Sequence, residues 1–425
     1  MEVIYDKQFN SNFKLPRIKE FEDLGLGIFV HWGLYSLMEQ GEWTQQIHKV
    51  EKETYEELKN NFFADGFDAK KFVKLVKQMG GKYITLTTKH HDGFYLYDTG
   101  GLSFFDSVHS PAGRDLIQEF VTACNEESIK PFFYMATYDW YSDLFYSDFS
   151  AYLEYLKESV RILCTNYGEI GGFWFDGNWS KKDEDWKVNE LYQMIRHYQP
   201  EAIIVNNTGL EEQGKMIDSE IDSVTYEKGV PQTINEEMGF DKYVAKEICM
   251  TMNEHWGYAK NDLKIKSLAE IIELLCHARK VGANLLLNIP FNGSGSVPII
   301  YQEYMKAVGQ WMDEFGEAIY FPRPTSVQTK SNKKDFVLKN EDSLYFFFHD
   351  MKVMGDKNVV LSDDPIDPRT FTECFDKIES VHWLDNQEHI TFMNDSREGV
   401  ITLNAGGYVY GSDWVVRVAK AKIKK

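Results

Sequence analysis

The sequence predicts a (β/α)8 barrel followed by a C-terminal antiparallel β-sandwich. From about residue 26 to residue 316, short apolar runs alternate with amphipathic helical stretches, which indicates parallel strands joined by helices. Eight such units over roughly 290 residues fit a closed barrel. After about residue 318 the helical patterns end and short alternating runs take over. We therefore place the barrel domain at residues 1–318 and the β-sandwich at residues 319–425.

The predicted barrel strands are short apolar or β-branched runs. In chain order they span residues 26–32, 83–89, 130–137, 171–176, 202–206, 222–226, 246–251 and 284–289. Between them, apolar residues recur every three or four positions, which predicts helices. These helices span residues 68–79, 114–127, 149–166, 186–198 and 267–281. The stretch from 207 to 245 is irregular and acidic, as long active-site loops are.

The C-terminal part begins at a break marked by Pro322 and Pro324. Its strand-like runs, separated by turn residues, are DFVLK, SLYFFFHD, KNVVLS, SVHWLD, EHITFM, GVITLN and WVVRVA. None of these runs carries a catalytic pattern. This part could bind glycan, shape the rim of a pocket or mediate assembly into a homo-oligomer.

Composition narrows the class of protein. The formal net charge of −20 disfavours nucleic acid and anionic membranes as partners. No apolar run approaches the length of a membrane span. The five cysteines form no zinc or redox spacing and are typical of reduced core residues. The start MEVIYDKQFN has neither a basic nor an apolar signal region, so we expect a cytoplasmic location.

Three predicted strands end in side chains that can do chemistry. The run GGFWFDG leads into Asp176, LGIFVHWG ends in His31 and YITLTTKHHDGF ends in His90 and His91. Active sites of such barrels lie at the C-terminal ends of the strands. Aromatic residues make up 15% of the chain, and their flat faces suit stacking on sugar rings. The pattern therefore predicts a pocket for a neutral sugar.

Hydrolysis of a glycoside needs two carboxyl groups that flank the scissile bond. A lone buried carboxylate is costly, so Asp176 is expected to be one of them. Candidates for the second are Glu220, Asp222, Glu227, Glu247 and Glu254. Glu227 lies where a strand-like stretch passes into a loop. Glu247 starts an apolar run, which favours a structural pairing near the base of a strand.

Several motifs together resemble the family 29 glycoside hydrolases, the α-L-fucosidases. LGIFVHWGLYS resembles the first-strand signature of that family, and FWFDG at 173–177 resembles its nucleophile strand. Further similar motifs are GEW at 41–43, KHHDGF at 89–94, EHWGY at 254–258 and NLLLNI at 284–289. The resemblance covers about residues 5–315 in the expected order. Departures are Thr44 after Glu-Trp, the loop IPFNGSGS, and Lys215 in the region of the family's arginine.

The resemblance implies a retaining exo-α-L-fucosidase that acts on a fucosylated oligosaccharide or glycoside. It implies that Asp176 is the nucleophile and that Glu227 is the acid/base, with Glu247 as the alternative. The fucose subsite would be lined by His31, Glu42, Trp43, His90, His91, Tyr138, Trp174 and Trp256. We expect no metal and no cofactor.

Two other classes of function stay open. A carbohydrate-binding protein could keep the pocket without catalysis, although the carboxyl groups that catalysis needs are present. A metal-dependent barrel hydrolase could use His31, His90 and His91. Adjacent residues on a strand point to opposite faces, and no His-x-His pattern occurs, so the metal hypothesis is the weaker one.

Overall fold

The structure is a computed structural model that describes residues 14–229, 242–360 and 367–424. Eight parallel strands form a closed barrel in chain order. They are β1 (Leu26–Val30), β2 (Tyr83–Lys89), β3 (Lys130–Ala136), β4 (Gly172–Asp176), β5 (Ile203–Asn207), β6 (Ser223–Glu227), β7 (Ala245–Thr251) and β8 (Ala283–Asn288). The first strand pairs with both β2 and β8, which closes the barrel.

The helices of the described chain precede, connect and follow these strands. They are α1 (Pro16–Leu24), α2 (Tyr35–Met38), α3 (Thr44–Ile47), α4 (Lys52–Glu56), α5 (Ala69–Met79), α6 (Leu116–Glu127), α7 (Leu144–Ser147), α8 (Phe149–Asn166), α9 (Val188–Tyr198), α10 (Leu268–Lys280), α11 (Ile299–Phe315) and α12 (Glu317–Tyr320). Short 3₁₀ turns cover Glu57–Asn61 and Asn178–Lys181. None of the helices in the described ranges is both long and apolar enough to cross a membrane.

The helix ends follow from local sequence signals. Asp68 accepts a hydrogen bond from the Lys71 backbone N–H at 2.9 Å and so starts α5, and Gly80 ends it in the left-handed conformation. Ser267 and Glu270 form a reciprocal capping box at the start of α10. These signals explain why the predicted helices agree with the observed ones to within two residues at each end.

The interior of the barrel is filled rather than open. Side chains of Phe29, Phe132, Tyr134 and Trp174 belong to one buried cluster that also includes aliphatic residues of later strands. Phe21 of α1 joins this cluster from the N-terminal end. In barrels with such a packed interior, active sites lie at the C-terminal ends of the strands.

After the barrel come two antiparallel sheets. One has the order β10 (Gln328–Thr329), β13 (Asp367–Thr372), β16 (Val400–Ala405) and β15 (Phe392–Asp395). The other has the order β14 (Ile378–Trp383), β17 (Val416–Ile423), β12 (Ser343–His349), β11 (Phe336–Lys339) and β9 (Arg323–Pro324). Both sheets contribute to one hydrophobic cluster, for example through Phe346 and Phe371, whose ring centroids are 5.0 Å apart. The predicted succession of a barrel and antiparallel strands is confirmed.

Three details of the C-terminal prediction were wrong or incomplete. In the run KNVVLS, residues 357–360 form a turn and bend, and its last two residues lie outside the described ranges. The run EHITFM contributes a strand only from Phe392 onward. Strand β13 was missed because it contains a proline, which normally argues against a central strand. Pro368 pairs with Asn404 on one side and lies beyond the two-residue partner strand on the other, so its missing N–H breaks no ladder.

By its backbone contacts the chain divides into two compact units. One unit holds the barrel up to Lys266 and resumes over Asn284–Lys306. The other comprises Ser267–Ala283 and the chain from Ala307 onward. The domain boundary expected between residues 318 and 319 stays a prediction.

Candidate active site

A cavity of about 450 Å³ opens at the C-terminal ends of the barrel strands. Its volume lies within the range of small-molecule sites. Of the residues expected at the site, those that line it are His31, Glu42, Trp43, His90, Trp174, Asp176, Glu227 and Trp256. The barrel therefore brings together residues that are up to 225 positions apart in the sequence.

Asp176 is the last residue of β4, and its carboxylate is surrounded by hydrogen-bond donors. The Tyr134 hydroxyl donates to Oδ2 at 2.9 Å, and Trp179 Nε1 donates to Oδ1 at 2.9 Å. His91 Nε2 lies 3.4 Å from Oδ2. Gly177 follows with a φ of 117°, and a Cβ there would lie 2.4 Å from the backbone N of Tyr138. Glycine thus allows the chain to turn away directly after the carboxylate.

These donors determine the charge of Asp176. Burial by itself raises the pKa of this carboxyl, but hydrogen bonding and charge from His91, with the Trp179 and Tyr134 donors, outweigh it. The net result is a pKa below the ordinary value of 3.8. Asp176 is therefore ionised at neutral pH, as a nucleophile must be.

Glu227 is the last residue of β6 and faces the same cavity. Its Oε1 accepts a hydrogen bond from Trp256 Nε1 at 3.1 Å. Burial and the nearby charge of Asp176 raise the pKa of Glu227, although hydrogen bonds from Asn207 and Trp256 work against this. The two carboxyl groups thus have pKa values shifted in opposite directions, which is the arrangement that separates a nucleophile from an acid.

Asn207 lies between the two carboxyl groups. Its Nδ2 is 2.9 Å from Glu227 Oε2 and 3.2 Å from Asp176 Oδ1. Since one nitrogen reaches both oxygens, these oxygens are separated by at most about 6 Å. Retaining glycosidases hold their carboxyl groups about 5–5.5 Å apart and inverting ones about 6.5–9.5 Å apart. The limit set by Asn207 for this pair of oxygens is compatible with the retaining separation.

The histidines of the site are buried and differ in what they contact. His31 Nδ1 is 2.7 Å from Asn288 Oδ1, and burial lowers the pKa of His31 to about 3. The His90 ring stacks on Tyr134 at a centroid distance of 5.6 Å, and burial lowers its pKa well below 6.5. Both rings are therefore neutral at physiological pH and suit hydrogen bonding to sugar hydroxyl groups.

His91 and Tyr138 do not line the cavity wall. His91 Nδ1 is 2.9 Å from the carbonyl oxygen of Tyr138, while its other nitrogen faces Asp176. The Tyr138 ring turns toward Phe145 and Trp179, with centroid distances of 5.2 and 5.9 Å. The main chain of Tyr138 thus orients His91, and the expected contact between the Tyr138 side chain and sugar does not follow from its position.

The other predicted subsite residues that line the cavity include Glu42, Trp43 and Trp256. The Glu42 carboxylate accepts a hydrogen bond from the Gly257 backbone N–H at 2.7 Å, which connects the loops after β1 and β7. Trp43 and Trp256 are half-buried, so part of each indole faces the cavity. Such flat apolar surfaces stack on the apolar face of a sugar ring.

Glu247, the alternative acid, lies elsewhere. It is 1% exposed and does not reach the cavity. Its two oxygens accept hydrogen bonds from Tyr83 OH at 2.7 Å and Trp174 Nε1 at 2.9 Å. Burial raises the pKa of Glu247 to about 7. This carboxyl supports Trp174 from below, and the structural pairing expected for it at the base of a strand is what the structure shows.

The other candidate acids also make structural pairs. Asp222, at the N-terminal end of β6, contacts Arg17 and Lys242 at 3.1 Å each and Arg196 at shorter range. Glu220 pairs with Arg196 at 2.9 Å, and Glu254 pairs with Lys264 at 2.8 Å on the surface. Among the candidates, Glu227 is the one that faces Asp176.

Three residues that contact the two carboxyl groups were not expected from the sequence: Tyr134, Trp179 and Asn207. Tyr134 lies in an apolar strand and resembles a core residue there. Trp179 follows Asp176 by three positions, and its aromatic side chain after a strand end is a signal that could have identified it. Asn207 resembles an ordinary turn residue, and only the pairing of its strand with β4, which sets Asn207 beside Asp176, reveals its position.

Two carboxyl groups with opposite pKa shifts, in an aromatic cavity at the C-terminal end of a filled (β/α)8 barrel, define a glycoside hydrolase. Within the described ranges, no group of three or more His, Cys, Asp or Glu side chains is placed to hold a metal ion. The metal-dependent alternative therefore has no site among the residues that the structure describes.

Comparison with known proteins identifies the family. A family model described as alpha-L-fucosidase matches residues 2–317. A putative alpha-L-fucosidase of Caenorhabditis elegans is 28% identical over 75% of this chain and 70% of its own. Tissue alpha-L-fucosidase of Rattus norvegicus is 26% identical over 95% of this chain and 90% of the rat protein. The solved structure of alpha-L-fucosidase isoenzyme 1 from Paenibacillus thiaminolyticus is 27% identical with a TM-score of 0.82, and the match covers 96% of this chain and 99% of that chain. This chain belongs to the alpha-L-fucosidase family.

Proposed function

We propose that this protein is a retaining exo-α-L-fucosidase that releases terminal α-L-fucose from small fucosylated oligosaccharides or glycosides. Family membership supports the choice of sugar. The single observation that carries the mechanism is the Asn207 bridge, which limits the separation of the Asp176 and Glu227 oxygens to about 6 Å.

In the first step, Asp176 attacks the anomeric carbon and Glu227 protonates the departing oxygen. A fucosyl-Asp176 ester forms, and the carboxylate charge of Asp176 disappears with it. That charge is one cause of the raised pKa of Glu227, so the pKa of Glu227 falls in the intermediate. Glu227 is then suited to remove a proton from the water that hydrolyses the ester.

The test is release of nitrophenol from 4-nitrophenyl α-L-fucoside by the wild type and by Asp176→Ala, Glu227→Ala and Glu247→Gln. We expect the Asp176 variant to lose at least about a thousandfold in rate. Glu247→Gln is the matched control, since it removes another buried carboxyl and should keep the activity of the wild type to within about tenfold.

Azide separates the two catalytic roles by the configuration of the product. In Asp176→Ala, azide replaces the nucleophile and should give β-fucosyl azide. In Glu227→Ala, azide replaces the water that attacks the fucosyl-enzyme and should give α-fucosyl azide. The reverse assignment would show that the roles are exchanged. A wild type that binds fucose without releasing nitrophenol or fucose from any fucoside would contradict the proposal and favour a carbohydrate-binding protein.

We also propose a cytoplasmic location, which would restrict substrates to small imported fucosides. All five cysteines are buried and unpaired, which suits a reducing compartment. Activity confined to intact glycoproteins, or recovery of the protein outside the cytoplasm after cell fractionation, would contradict this part of the proposal.

A further inference from the structure

The orientation of the Asn207 amide is fixed by its surroundings. Asn207 is the last residue of β5 and is 3% exposed. Its Oδ1 accepts a hydrogen bond from the Gly209 backbone N–H at 3.1 Å. A flipped amide would set its oxygen against two carboxyl groups and its NH2 against that N–H. The NH2 group must therefore face Asp176 and Glu227.

A primary amide is well matched to this position. It carries two N–H hydrogens, one for each carboxyl group, and no charge. A lysine or arginine here would favour the ionised form of both carboxyl groups, so Glu227 could not stay protonated as an acid. An apolar side chain would leave the two carboxyl groups to repel each other without a shared donor.

We propose that Asn207 is a positioning residue, which holds Asp176 and Glu227 at the spacing for double displacement and donates to whichever of them is charged. This inference rests on the proposed function. In the free enzyme the charge is on Asp176, and in the fucosyl-enzyme it passes to Glu227. Because one nitrogen reaches both, the same amide stabilises both charged states without moving. Hydrolysis of the intermediate, which needs ionised Glu227, depends on this contact.

Other titratable or charged groups also face the pair. His91 and Tyr134 contact Asp176, and His31 lies within electrostatic range of it. Lys228 and Cys249 are the corresponding neighbours of Glu227. None of these groups changes when Asn207 is replaced, so a change in pH dependence reports the amide.

The test compares Asn207→Leu, which has the same branching at Cγ and no donor, with Asn206→Leu. Asn206 is the preceding residue of the same strand and is equally buried, but it donates to Asn178 and Tyr192, each at 2.9 Å. The substrate for pH profiles of kcat/KM is phenyl α-L-fucoside, whose leaving group is basic enough to need the acid. A pre-steady-state burst with 4-nitrophenyl α-L-fucoside follows hydrolysis of the intermediate.

For Asn207→Leu we expect kcat/KM to fall by about tenfold to a hundredfold, as for the loss of a hydrogen bond to a charged group. Without the donor, both carboxyl groups hold their protons more tightly, so both limbs of the profile move to higher pH. The alkaline limb, which reports Glu227, should move by about one pH unit. A larger burst should show slowed hydrolysis of the intermediate. Asn206→Leu should leave both limbs in place.

Unchanged limbs and an unchanged burst in Asn207→Leu, with a wild type that is active, would overturn the role of Asn207 alone. A wild type without activity would overturn the proposed function as well. If Asn207→Leu does not fold, Asn207→Ala removes the same donor with less steric demand and is judged by the same limbs and burst.

Discussion

Replacing Glu247 by glutamine should increase the free energy of unfolding relative to the wild type. The increase should be larger at alkaline pH than at acidic pH. The carboxyl is 1% exposed beneath the cavity, and its pKa is raised from 4.5 to about 7. Glutamine keeps the shape and can accept from Trp174 Nε1 with its oxygen while donating to the Tyr83 hydroxyl. It differs in having no charge to bury.

The magnitude follows from the shift in pKa. In the unfolded chain Glu247 ionises near pH 4.5, whereas the folded protein retains the proton until about pH 7. Between these values the folded state binds more protons than the unfolded state, so the free energy of unfolding falls as the pH rises. A shift of this size corresponds to about 3 kcal/mol, lost in full above pH 7. Below pH 4.5 the carboxyl is protonated in both states and costs nothing.

Urea unfolding of the wild type and of Glu247→Gln at pH 5 and pH 8 measures this effect. We expect the free energy of unfolding of the variant, relative to the wild type, to increase by about 2–3 kcal/mol between the two pH values. Infrared spectra should show a protonated carboxyl band that titrates near pH 7 in the wild type and is missing in the variant. An equal difference in stability at both pH values would refute the assigned pKa and its cause.

Three further predictions concern contacts around the cavity. Tyr134→Phe removes a donor to Asp176, so the acidic limb of the kcat/KM profile should move to higher pH by up to about one unit; an unmoved limb would contradict this contact. Lys89→Met removes the ammonium group that lies 2.6 Å from the buried carboxylate of Asp139. Thermal unfolding should show that the free energy of unfolding falls by about 3–5 kcal/mol. The double variant with Asp139→Asn should regain part of this loss. Leu210 is 66% exposed on the cavity wall, so Leu210→Ser should raise KM for aryl fucosides about threefold with little change in kcat, and an effect on kcat alone would argue against a binding role.

The sequence predicts the barrel well because its signals are local. The barrel strands are mostly short apolar or β-branched runs, and each of the five predicted helices has a one-sided apolar pattern. The same signals place Asp176, His31 and Glu227 at the cavity, since all three lie where an apolar run ends. Family resemblance adds Glu42 and Trp43, which lie in a loop without such a pattern.

The residues that were missed depend on contacts between distant parts of the chain. Asn207 gains its position from the register of β5 against β4 and from Glu227, 20 residues later. Tyr134 differs from a core tyrosine only because its hydroxyl reaches the carboxylate of a neighbouring strand. The family resemblance predicts Tyr138 in the sugar subsite, but its carbonyl oxygen contacts His91 and its ring packs against Phe145 and Trp179. The spacing of residues in the sequence does not predict these side-chain and main-chain orientations.

Because the first barrel strand pairs with the last, the barrel cannot close early in translation. Val30 ends β1, but its strand has no partner on one side until Asn288 has been synthesised. At about 5–20 residues per second, translation of the intervening segment takes on the order of tens of seconds. The hydrogen bond of His31 also forms only after Asn288 has been synthesised, because Asn288 is its partner. The sugar pocket is therefore among the last parts of the nascent barrel to be completed, and a chain truncated before residue 288 should lack it.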